Sequence, residues 1–157
     1  TNQSLLSRAR GEPLERFHFW QFFQSGLFHH ISSLAPLNDD QREIDYPSLV
    51  QRIGAALKVL GDLYSELGYE DELLTFTVGL SNVEGAVLVN APTPCRETEG
   101  YRCYIPDIIV KKRRTVADLA TGPVEHVIRV VQEVCERFNF SAERHKGLGP
   151  RLKKLLG

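Results

Sequence analysis

Three histidines near the start of this 157-residue chain, His18, His29 and His30, come closest to a metal-ligand set. If residues 16 to 34 form a β-hairpin, His18 and His29 lie diagonally on one sheet face, about 7 to 8 Å apart. Zinc asks for three or four ligands at roughly 2 Å. No Cys or carboxylate in the hairpin completes the set, and His29 and His30 point to opposite faces of a regular strand. They read as structural or interface residues, and no metal or other cofactor is expected.

A thiol nucleophile needs a base beside it. Cys95 falls in a loop, Cys103 on a strand and Cys135 on the buried stripe of a helix, while the candidate bases His126 and His145 are placed by no motif. Phosphate cradles of the GxxxxGK[ST] or GxGxxG type are absent, and the lone GxG at Lys146-Gly147-Leu148-Gly149 reads as a flexible break. The neighbouring carboxylates Asp39-Asp40 and Asp71-Glu72 fit solvated turns. No catalytic residue is assigned, so an enzyme without a recognisable motif is the third of three readings.

Charge offers a second reading. Residues 1 to 110 hold 8 Lys/Arg against 15 Asp/Glu, and residues 111 to 157 hold 11 against 5. The basic end contains the run Lys111, Lys112, Arg113 and Arg114, followed by Arg144, Lys146, Arg151, Lys153 and Lys154. Gathered on one surface, these would neutralise several phosphates and bind nucleic acid with steep salt dependence. On a strand, however, the run alternates between faces, and edge strands also use Lys to deter aggregation.

The leading reading rests on RFHFWQFFQSGLFHHISSL, residues 16 to 34, which holds the only Trp and five of the eight Phe. Gln24-Ser25-Gly26 separates two aromatic runs and reads as a hairpin turn. With Gln24 and Ser25 as the loop, Phe23 faces Gly26, Trp20 faces His29 and Phe19 faces His30. One face then carries His18, Trp20 and Phe22 with Leu27, His29 and Ile31; the other carries Phe17, Phe19 and Phe23 with Phe28 and His30. A strand apolar on both faces needs two covers. Both covers can come from the same chain, as aromatic stripes in a core do; the functional alternative is that one is a partner subunit or ligand, at His18, Trp20, Phe22 and His29.

The elements that would position these residues follow from periodicity. Between a cap at Asp45 or Tyr46 and a left-handed stop at Gly68, with Pro47 in the first turn, Leu49, Val50, Ile53, Leu57, Leu60, Tyr64 and Leu67 make one helical stripe. Leu74, Phe76, Val78 and Leu80 alternate with Thr75, Thr77 and Gly79 as a strand, and residues 81 to 85 read as a turn returning through residues 86 to 90 as a second hairpin. Residues 101 to 114 read as a fifth strand, at an edge or bulged at Pro106. Thr115 to Asp118 has capping form for a single turn. Pro123 opens a second long helix with Val124, Val127, Ile128, Val131, Val134, Cys135 and Phe138 on its apolar face. The predicted architecture is α+β: a roughly five-stranded, mostly antiparallel sheet, two hairpins plus an edge strand, with helices at about 46 to 67 and 123 to 138 on one face.

A composition of 42% apolar and 25% charged residues is that of an ordinary globular domain. The expected division is a linker at 1 to 13, one domain at 14 to 140, and a basic tail at 141 to 157 that docks or leads into a missing region. An odd cysteine count without a CxxC pair points to a reducing, cytoplasmic compartment. No run of 18 apolar residues occurs, so no membrane partner is expected. The chain contains no Met and opens on a polar segment, which favours a piece of something longer.

FHFWQFFQSGLFHH, then DYPSLVQRIGAALKVLGDLYSELGY, then TFTVGLSNVEGAVLVN resembles the C-terminal accessory domain of bacterial transcriptional regulators of the Schlafen/AlbA type, with Gln24-Ser25-Gly26-Leu27-Phe28 at the hairpin position. The likeness runs from about Leu14 to Phe140. It implies a regulatory, ligand-sensing or oligomerisation domain of a larger DNA-binding protein, whose DNA- or nucleotide-binding half is not in this sequence. Expected partners are therefore a second copy or a missing domain of the same chain, with nucleic acid as the alternative.

Overall fold

The computed structural model describes residues 18–33, 42–95, 100–144 and 147–156. The class is α+β, but the strands do not form one five-stranded sheet. Strands β1 (His18–Phe22) and β2 (Phe28–Ser32) form a separate hairpin, and β3 (Glu43–Asp45) leads directly into helix α1 (Tyr46–Glu66). Asp45 caps α1 by accepting from the Ser48 backbone N–H at 2.9 Å. Gly68, at φ +80°, ends it: the Gly68 N–H donates to the Ser65 carbonyl, and the Tyr69 N–H to that of Tyr64.

The expected pairing of residues 74–80 with 86–90 is corrected. Strand β4 (Leu73–Ser81) pairs instead with β7 (Asp107–Thr115), antiparallel over nine residues. Strand β5 (Val87–Val89) runs parallel to β3 and antiparallel to β6 (Tyr101–Arg102). Residues 81 to 85 do contain a turn, closed by the Ala86 N–H on the Val83 carbonyl, but it does not reverse the chain. The Val83 N–H donates to Pro106 O and the Cys103 N–H to Ala86 O, so both ladders belong to one bent ribbon. Five residues, 82 to 86, oppose four, 103 to 106, which is a bulge. Pro106 falls in this break, as its missing N–H requires.

Helices α2 (Val116–Thr121), α3 (Pro123–Glu136) and α4 (Leu148–Leu156) complete the order. Thr115 caps α2 through the Asp118 N–H, and Pro123 occupies the first turn of α3. The four helices pack on one another, and β7 lies against α3. Val127, Val130, Val131, Val134 and Cys135 of α3 are buried with Leu49, Ile53 and Leu57 of α1, and the inner ribbon face adds Phe76, Leu80, Ile108 and Val110. Fully buried Phe140 meets the Tyr46 ring edge-on at 5.6 Å and the Tyr101 ring at 4.8 Å. The tail docks: Leu148 and Leu152 of α4 are buried in the same core. Among the described residues, no helix is long and apolar enough to cross a membrane. The N-terminal linker and Lys146 lie outside the described residues.

Candidate functional site

The β1–β2 hairpin reaches the rest of the chain chiefly through the C-terminal half of α1. The Tyr64 hydroxyl donates to the Gly26 carbonyl, and the Tyr64 ring lies 6.3 Å from that of Phe22. A second tether is the Arg52 guanidinium, which donates to the Ser33 carbonyl. Burial raises the Tyr64 phenol above its usual range.

The register differs by one residue from the sequence expectation. The Phe23 N–H donates to Leu27 O at 2.8 Å and the Gly26 N–H to Phe23 O at 2.9 Å, with Gly26 at φ +80°. The loop thus has three residues, Gln24, Ser25 and Gly26, the last in the left-handed conformation that closes such loops. Trp20 is opposite His30, Phe22 opposite Phe28 and His18 opposite Ser32. A one-residue slip exchanges every partner for a residue of the other face. His29 therefore leaves the Phe22 face and stands edge-on to Phe19, rings 6.5 Å apart. Of the four residues expected to form one surface, Phe22 and His29 stand on opposite faces in this register, and the side chains of His18 and Trp20 lie outside the described residues.

The hairpin exposes apolar side chains on both faces among uncharged polar ones, Leu27 and Ile31 on one and Phe22 on the other. Leu27 is 59% exposed, Ile31 45% and Phe22 42%, and no Asp, Glu, Lys or Arg occurs between residues 17 and 33. That Leu27, His29 and Ile31 share a face was legible from strand alternation, but only the register shows that Phe19 and Gln21, rather than Phe22, stand on that face with them.

The basic set is dispersed. Strand β7 continues through Thr115, so Lys111 and Arg113 point outward opposite Thr77 and Thr75, beside Ile109 at 71% exposure. Lys112 and Arg114 point inward over α3: Lys112 pairs with Glu133, and the Arg114 Nε donates to His126 Nδ1 at 3.3 Å. Arg144 is committed to the fold, its guanidinium 5.6 Å over the Tyr101 ring and donating to that hydroxyl. On α4, Lys153 borders a broad concavity with Lys58 and Arg114, whereas Arg151 acts on Tyr46 and Lys154 is exposed.

Burial pushes the Cys135 thiol up to about 12, so it is not a thiolate at neutral pH. Cys103 is buried, Cys95 packs against the core, and His145 lies outside the described residues. Among the described residues, no group of three metal-ligating side chains occurs. No family model, curated protein or solved structure matches the chain.

Proposed function

We propose that this chain is a non-enzymatic assembly and regulatory module of a larger DNA-binding regulator, and that the β1–β2 hairpin joins two copies of it. The observation that carries this reading is the hairpin face without formal charge on which Leu27 and Ile31 stand 59% and 45% exposed, opposite the face that Phe22 turns toward Tyr64. In a two-fold interface a patch meets its own copy, so charges near the axis meet their like. A patch without formal charge avoids that repulsion, and aromatic enrichment with charge depletion is the composition of interface cores. The resemblance to the accessory region of Schlafen/AlbA-type regulators supports the same reading.

Light scattering at low and high salt tests it, comparing the wild type with the double variant Leu27→Ser, Ile31→Ser. Both side chains are about half exposed and lie outside the buried core, so the variant is expected to keep its fold, which circular dichroism checks. A dimer that survives salt and becomes a monomer in the variant supports the proposal. A wild-type monomer overturns it.

A second reading, nucleic-acid contact, is favoured by Lys111 and Arg113 on the outer face of the nine-pair β4–β7 ribbon. A two-stranded ribbon fits the major groove. Charge reversal at Lys111 and Arg113, rather than at the inward Lys112 and Arg114, is the variant that tests it. Unchanged duplex affinity at low salt would remove this reading.

A further inference from the structure

We propose that the mouth of the small cleft between β7 and α3, which is lined by Phe76, Lys112, Arg114, His126 and Arg129 and has room for about one water (about 10 Å³), binds a phosphate group. The cleft is separate from the hairpin, and its ligand is independent of dimer formation.

Its lining holds three cations and no carboxylate. Glu133 neutralises Lys112 from α3, which leaves Arg114 and Arg129 as the cations without a carboxylate partner among the described residues. Arg114 is held in place from behind: its Nε donates to His126 Nδ1, and its Nη1 donates to the Arg113 carbonyl at 2.7 Å. A guanidinium has five N–H donors, so others remain for a ligand. Because His126 accepts at Nδ1, the proton of the neutral imidazole sits on Nε2, a third donor. Arg129 follows His126 by three residues on α3 and therefore shares its helix face.

Two fork-shaped guanidiniums and a ring N–H suit an anion with several acceptor oxygens. The carboxylates that also act on His126, Asp118 of α2 and Glu125 of α3, border the wider concavity beside the cleft rather than the cleft itself. Phosphate is the biological group of that shape and charge, whether free, on a small metabolite or in a nucleic-acid backbone.

The experiment follows the His126 imidazole resonance by NMR at constant ionic strength. Inorganic phosphate, a nucleoside monophosphate and a short DNA duplex are titrated separately. The resonance is expected to shift and the His126 pKa to rise with at least one of them. Arg129→Gln, an exposed position, should weaken that binding about tenfold, the loss of one charge-assisted contact. Arg113→Gln, on the opposite ribbon face, should leave it unchanged. Response to phosphate and monophosphate alone assigns a small ligand; response to the duplex alone assigns a nucleic-acid backbone. No shift with any probe, or equal weakening by both substitutions, overturns the proposal.

Discussion

One carboxylate oxygen of Asp45 accepts from the Asn90 side-chain amide at 2.8 Å while the other caps α1 through the Ser48 N–H. The residue that starts the long helix is thereby tied to the end of β5, and Asn90 takes a positive φ of 56° beside that contact. The parallel β3–β5 pair and α1 are locked at one point.

Asp45→Ala should destabilise the fold by about 1 to 2 kcal/mol, the range for a lost N-cap with a further hydrogen bond. Partial burial alone would raise the Asp45 pKa, but the hydrogen bonds from Asn90 and Ser48 bring it below the ordinary value. A depressed carboxylate contributes stability above its unfolded pKa of about 4 and loses it as pH falls through the folded value. Urea midpoints at pH 7 and pH 3 should differ less in Asp45→Ala than in the wild type.

Gly61 marks the closest approach of α1 to α2. A Cβ there would stand 2.8 Å from the Leu119 carbonyl carbon and 2.9 Å from the Ala120 nitrogen, both backbone atoms that cannot rotate away. Alanine in a helix interior gains about 1 kcal/mol over glycine, whereas overpacking costs about 1 to 3 kcal/mol. Gly61→Ala is expected to lower the denaturation midpoint despite its better helix propensity; a raised midpoint would contradict this packing.

Removing the Tyr64 hydroxyl should loosen the hairpin without unfolding the core. Tyr64→Phe keeps the ring beside Phe22 but loses the donor to Gly26 O, a contact worth about 1 kcal/mol. Faster amide exchange is expected in residues 18 to 33, with the ladder between β4 and β7 unchanged. Uniform acceleration across both would show that the hairpin is integral to the global fold.

Acidification should weaken the β7–α3 contact through His126. Its pKa is lowered first by burial and then by Arg114, with Arg129 adding to this and Asp118 and Glu125 opposing it. A histidine with a depressed folded pKa leaves stability intact above its unfolded value of about 6.5 and reduces it as pH falls toward the folded one. His126→Gln should flatten thermal stability between pH 7.5 and 5. An undiminished slope would assign that dependence to other groups.

Elements whose signals lie within a few residues were legible. The bounds of α1 follow from Asp45, Pro47 and Gly68, the short α2 from Thr115 and Asp118, and α3 from Pro123 and its valine stripe. Capping and helical periodicity are local, so no distant partner is needed to read them. The α+β class follows from the same signals.

Strand partners were not legible, because a ladder is chosen between segments about thirty residues apart. Val87–Val89 looks as good a neighbour for β4 as Asp107–Thr115 does until burial is known. The nine-pair match of β4 with β7 places Leu80, Phe76, Ile108 and Val110 together in the core, and it alone decides that Lys112 and Arg114 face α3 while Lys111 and Arg113 face outward. The same holds for the hairpin, where one extra loop residue moved His29 to the other face. Composition and local periodicity determined α1, α2, α3 and the longer strands, though not β3 or α4, and that residues 18 to 33 carry no formal charge. Tertiary packing decided which faces those segments present, because side-chain direction in a strand reverses with every residue of register.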